Sequence, residues 1–199
     1  ARTWAPITDG QFSRGDIISA VEKKGVTPPP LFIGYTSDEF IDNGINTIEL
    51  GIRKLVKAEE KRGLKGKNYV YKFDVPIPGW DNPGKFHSVD LWFFFETLAK
   101  CWRPFTGVHY DISRKMCNYM CNFIKTGNPN DNGLNSGLSP RAGVSYPPSK
   151  EENLKRYEES QEKLPEWKAF SSEEPNCMFF DTDCTLHSFD AEGEIKKYI

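Results

Sequence analysis

Apolar positions along the chain fall into short blocks divided by turn-forming residues, and the spacing within each block names its element. Ile17, Ile18 and Val21 give an apolar helical face, with Ser13 as a candidate N-cap and Gly25 as a stop, so a short helix is expected from Ser13 to Lys24. Three prolines then lead into LFIG, Leu31–Gly34, a compact apolar run of the kind that forms a buried strand. The polar GYTSDEF segment would be the loop at that strand's C-terminal end. From Thr47 to Arg62 the period becomes helical, with Ile48, Ile52, Leu55 and Val56 on one face and Gly63 and Gly66 at the end. Tyr69–Phe73 (YVYKF) reads as a second strand with a turn-rich exit, PIPGWDNPGK. Strand, helix and strand in that order make the βαβ unit of a parallel sheet.

The stretch FHSVDLWFFFETLAKCW is apolar nearly all round and is expected to be one buried helix. A further helix is expected over Asp111–Lys125, with Ile112, Met116, Tyr119, Met120, Phe123 and Ile124 on one face and Gly127 and Pro129 ending it. Asn128–Pro148 is rich in Gly, Asn, Ser and Pro and reads as a loop, and the charged run Ser149–Lys163 as a solvated helix. No internal repeat is present.

Composition narrows the function classes. The 199 residues are 38% apolar and 14% aromatic, enough for one real core, and the net charge of −2 offers no electrostatic grip on nucleic acid or anionic lipid. No apolar run reaches the length of a membrane-spanning helix. The opening ARTWAPITDG lacks the layout of a signal peptide. Cys101 stands alone, and Cys117 and Cys121 lie four apart rather than at metal-ligand spacing. The cysteines are expected to be buried or half-buried thiols. A Cys177–Cys184 bridge stays open as the alternative for an oxidising compartment.

In open α/β sheets, active sites lie beyond the C-terminal ends of the strands. The loop after LFIG carries Asp38 and Glu39, and the loop after YVYKF carries His87. A carboxylate followed by an imidazole on such loops is the arrangement of a hydrolase acid and base: the imidazole shuttles the nucleophile's proton, and the carboxylate fixes its tautomer. Spacing alone leaves Asp38 and Glu39 as rival acids and allows His87 an ordinary hydrogen-bonding role. The nucleophile elbow G-x-S-x-G does not occur. The nearest string, GLNSG at Gly133–Gly137, has its serine one place late and no strand before it.

The strings are more specific than the spacing. IGYTSDEF resembles the acid loop of type-B carboxylesterases, the family that includes the cholinesterases. YVYKFDVPIPG and GKFHSVDLWFFF resemble that family's run through its catalytic histidine. WAPITDGQF, CWRPFTG, NFIKTGNPN and LPEWKAF follow the family's order, so the resemblance spans about Trp4 to Phe180.

It implies an α/β fold: the C-terminal part of one α/β-hydrolase domain over residues 1–199, with the last strands of a mostly parallel sheet, flanking helices and an insertion over 131–163. It further implies a serine carboxylic-ester hydrolase working through an acyl-enzyme on a small-molecule ester, with Glu39 as acid, His87 as base and no metal or organic cofactor. Asp38 would then bond backbone amides. Ser88, His109 and His187 match no functional position, and Trp92, Phe93, Phe94 and Phe95 are core residues or pocket lining.

The nucleophilic serine and oxyanion loop would come from an N-terminal segment of the same protein. No nucleic-acid partner or membrane span is implied. The stretch between Glu39 and YVYKF is shorter than the family's, which implies either a more open site or residues absent from the sequence. A non-catalytic binding or adhesion member of the same fold family is the alternative, although the presence of both Glu39 and His87 argues against it. A free-standing α/β domain with an unrelated role would make the resemblance accidental.

Overall fold

Two parallel strands and the helix between them set the frame. In the computed structural model of the chain, residues 7–12, 15–23, 25–65, 67–130 and 164–188 are described. Strand β1, Leu31–Thr36, pairs in parallel with β4, Asn68–Phe73, in a register running from Leu31 against Asn68 to Thr36 against Phe73. The crossover between them is α2, Thr47–Lys61. Asn46 caps its start by accepting the N–H groups of Ile48 and Glu49, and Gly63, at φ +69°, turns the chain away at its end. Between β1 and α2 lies a two-stranded hairpin, β2 (Ile41–Asp42) and β3 (Ile45–Asn46), with Asn43 and Gly44 both left-handed at its turn.

On the far side of β4 the sheet continues with β5, Asn176–Phe180, in parallel, and β6, Cys184–Ser188, antiparallel, giving the order β1-β4-β5-β6. The sequence reading assigned no strand after Lys163, so β5 and β6 are additions to it. Cys177 and Cys184 lie on these adjacent strands but stand opposite His187 and Phe180 respectively rather than each other, and all five cysteines are free thiols.

Alternation along the strands divides the core. Tyr69, Tyr71, Phe73, Met178 and Phe180 face a layer built from α3 (Asp90–Phe94) and α4 (Gly107–Thr126). Tyr35, Val70 and Cys177 face α2 through Ile52 and Val56. Helix α1, Ile17–Glu22, joins that second layer, with Val21 packed against Leu55 and Ala58. Fully buried Trp167 fixes the returning 164–170 segment, its ring edge-on to Tyr119 at 5.2 Å and tilted on Phe32 at 5.0 Å. Asn130 clamps both the Trp167 N–H (2.6 Å) and its carbonyl (2.8 Å). Among the described residues, no helix is long and apolar enough to cross a membrane.

Three expectations need correction. Ser13 and Lys24 lie outside the described residues, and α1 is capped by Asp16, which accepts the Ser19 N–H at 2.9 Å. Phe86–Trp102 is not one helix. It forms the short α3 and a single 3-10 turn at Leu98–Lys100, because Ser88 (φ +69°) and Glu96 (φ +50°) adopt left-handed conformations that no helix continues through. An all-round apolar run shows neither where a helix stops nor which of its side chains are covered, and Leu91, Phe95 and Trp102 are exposed. Helix α4 begins at Gly107, four residues before its expected start, with Thr106 and His109 closing its N-terminus, and Ile124 is exposed rather than part of its buried face. The loop and charged helix expected beyond Asn130, and the 131–163 insertion, lie outside the described residues.

Gly34 lies opposite Tyr71 in the β1–β4 pairing, and a Cβ there would overlap the ring and carbonyl oxygen of Tyr71. Gly34→Ala is therefore expected to destabilise the fold by about 1–3 kcal/mol or more, since packed cores accommodate added volume poorly. Denaturant unfolding of the two proteins checks this, and coincident midpoints would show that the strands can part at no cost.

Candidate active site

The register of β1 with β4 brings their C-terminal exits level. Ser37 donates both its N–H (3.0 Å) and its hydroxyl (3.1 Å) to the carbonyl of Phe73, lacing the two loops together where they leave the sheet. Asp38 then reaches across and accepts the Lys85 N–H at 2.7 Å. Gly84 permits that approach: at φ +66°, any Cβ on it would press on the Asp38 carboxylate. Asp38 thus fixes the second loop through its backbone, and the neighbouring side chain, Glu39, points elsewhere.

Glu39 is almost fully buried. One carboxylate oxygen accepts the Thr36 N–H at 2.7 Å, and the other meets Nδ1 of His87. A carboxylate can only accept, so Nδ1 carries the proton and the lone pair resides on Nε2. The His87 side chain is 66% exposed against 5% for Glu39, which leaves Nε2 accessible while its orienting partner is sheltered. No protein partner for Nε2 occurs among the described residues. Of the residues expected at the site, Glu39 and His87 therefore meet, while Asp38 serves the backbone. Ser88 is left-handed beside them.

The other residues singled out in the sequence have local tasks. His109 accepts the Thr106 N–H through Nδ1 at 3.0 Å and donates from Nε2 to the Pro76 carbonyl at 3.1 Å, an N-terminal cap for α4. His187 lies on Phe179, ring centroids 4.3 Å apart. Phe93 and Phe94 are core residues, Trp92 is partly buried against Phe86, and Phe95 is exposed. Burial pushes the thiols of Cys117 and Cys184 up to about 12, so neither is an activated nucleophile. Among the described residues no group of three or more His, Cys, Asp or Glu side chains is arranged to hold a metal.

One charged neighbour escaped the sequence reading. Asp90, three residues after His87 in the first turn of α3, is buried and accepts the Tyr71 hydroxyl at 2.8 Å. Burial raises its carboxyl above the ordinary range, the Tyr71 hydroxyl lowers it in part, and the charge of Glu39 raises it further. Tyr71 is itself pushed far up, first by burial and then by Asp90. Nothing in the sequence marks this residue, because an aspartate in a first helical turn is commonplace.

Asp90→Asn keeps an acceptor for Tyr71 and removes the buried charge. With a folded value above the unfolded one, the Asp90 proton stabilises the wild type fully below about pH 3.9, and that contribution is lost as pH rises through the folded value. The stability difference should therefore move in favour of Asp90→Asn between about pH 4 and neutrality, read as paired thermal midpoints. A pH-independent difference would show that Asp90 is not perturbed.

The structure resembles the carboxylesterase EST55 of Geobacillus stearothermophilus at TM-score 0.63 and 17% identity, covering 98% of this chain and 45% of that one. A PNB esterase matches at TM-score 0.63 and 16% identity, over 98% of this chain and 43% of its own. An esterase from Clostridium hathewayi, described as hydrolysing aliphatic aromatic polyesters, matches at TM-score 0.50 and 17% identity, over 91% and 27%. At such identities the likeness speaks for the fold, and the chain spans less than half the length of each of these proteins. No curated protein matches the sequence. The sequence model of the carboxylesterase family matches residues 44–196, a stretch that contains His87 and begins just after Glu39. With a mostly parallel sheet, flanking helices and that match over three quarters of its length, the chain belongs to the carboxylesterase family.

Proposed function

We propose that the complete protein carrying this chain is a serine carboxylic-ester hydrolase, and that the chain supplies its acid, Glu39, and its base, His87. The observation that carries this reading is the Glu39–His87 contact at the C-terminal exits of adjacent parallel strands, with Nε2 left open. Family membership supports the chemical class.

The nucleophile is assigned to a serine on an N-terminal segment of the same protein, whose sheet would continue from β1. Among the described residues β1 is an edge strand, and its unpaired backbone groups suit such a neighbour. In this reading His87 Nε2 takes the serine proton as the hydroxyl attacks the ester carbonyl, and Glu39 stabilises the resulting imidazolium. The tetrahedral intermediate collapses to an acyl-enzyme as His87 returns that proton to the departing alcohol. Water then attacks the acyl group, His87 again acting as base, and the carboxylic acid leaves. No cofactor is needed for any of these steps.

A fluorophosphonate, which reacts with an activated serine, tests the assignment in the complete protein. The wild type should be labelled, and His87→Ala should lose both labelling and turnover of a chromogenic ester. Glu39→Gln should retain its fold and lose turnover by about 10⁴-fold, because the amide would stabilise neither the tautomer nor the imidazolium. Full turnover in His87→Ala would end the proposal.

A further inference from the structure

Phe40 follows Glu39 directly and stands at φ +48°, a left-handed conformation that a bulky L-residue rarely adopts. Such a residue persists where its surroundings over-determine it. Here Thr47, the first residue of α2, and its cap Asn46 do so. Thr47 gives both its N–H (3.0 Å) and its hydroxyl (3.1 Å) to the Phe40 carbonyl, and Asn46 Nδ2 donates to the Glu39 carbonyl at 2.8 Å. The β2–β3 hairpin returns the chain to make these bonds within a few residues, using the left-handed pair Asn43 and Gly44.

Burial does not explain why the ring is held there, since Phe40 is 54% exposed. What the conformation achieves is a contact: the Phe40 ring lies edge-on to the His87 imidazole, centroids 4.9 Å apart and planes at 72°. His87 needs such a contact. Its side chain is mostly exposed, and its one hydrogen bond among the described residues is to Glu39, which fixes Nδ1 but leaves the ring plane free to tilt about that bond.

We propose that Phe40 is a positioning residue for His87, its ring setting the imidazole plane that Glu39 alone leaves free, and that Asn46 and Thr47 hold Phe40 to that task. The proposal rests on reading Glu39 and His87 as an acid–base pair. It has a structural corollary: the strain at residue 40 serves the site rather than the fold, so relieving it should not harm folding.

The test uses Phe40→Gly, Phe40→Ala and Phe40→Tyr in the complete protein, with His87→Ala as control. Phe40→Gly removes the ring and accommodates the positive φ without strain. Both ring-deleting variants should slow acylation by about 10- to 100-fold, the scale of a misplaced reacting group. Affinity for a non-hydrolysable ester analogue should be unchanged, and the thermal midpoint of Phe40→Gly should be no lower than the wild type's. The carbon-bound ring protons of His87 should shift in the NMR spectrum as the ring current of Phe40 is lost, and Phe40→Tyr should restore both the shift and the rate. Wild-type acylation in Phe40→Gly, or unmoved His87 resonances, would overturn the proposal while His87→Ala is inactive. Turnover surviving in His87→Ala would instead overturn the esterase reading, and this proposal with it.

Discussion

Parallel pairing of β1 with β4 is the constraint on which the rest of the molecule depends. Parallel neighbours cannot be joined by a tight turn, so the chain between them must cross over, and α2 is that crossover. The register aligns Thr36 with Phe73, so two loops far apart in sequence leave the sheet at one level. Glu39 and His87, 48 residues apart, meet as a consequence. Slipping the pair by one residue would turn Tyr71 away from Phe32 and Asp90 and send Val70 into the aromatic layer.

The loops above the sheet are fixed by a different kind of force. Their conformations are held by bonds to backbone groups: Ser37 on Phe73, Asp38 on Lys85, Asn46 on Glu39 and Thr47 on Phe40. Hydrogen bonds of this kind each contribute only about 1 kcal/mol to stability, but they are directional, so they set where the loop side chains point. Beneath them, Tyr71 and Asp90 place a second buried carboxylate near Glu39, disfavoured by its surroundings and retained through the Tyr71 hydroxyl. At the outer edge of the same loop, Arg103 grips Asp81 through two bonds of 2.9 Å and the Pro78 carbonyl at 3.0 Å, so the turn-rich segment before His87 is tethered at both ends.

The sequence by itself determined the elements whose side-chain period is local and unambiguous: β1, α2, β4 and the body of α4, and hence the βαβ unit and the strand exits where chemistry would sit. Together with the resemblance carried by IGYTSDEF and GKFHSVDLWFFF, it nominated Glu39 and His87. Tertiary structure decided everything that depends on contact between distant residues. The break in Phe86–Trp102 is one such case, since an apolar run does not record where left-handed residues interrupt it or which of its side chains stay exposed. Others are the pairing of β5 and β6, the division of labour between neighbouring Asp38 and Glu39, the buried charge of Asp90, and the strained contact of Phe40 with His87. The physical reason is the same throughout. Periodicity reports how a residue relates to neighbours within one or two turns, whereas these features arise from hydrogen bonds and ring contacts formed after the sheet has closed.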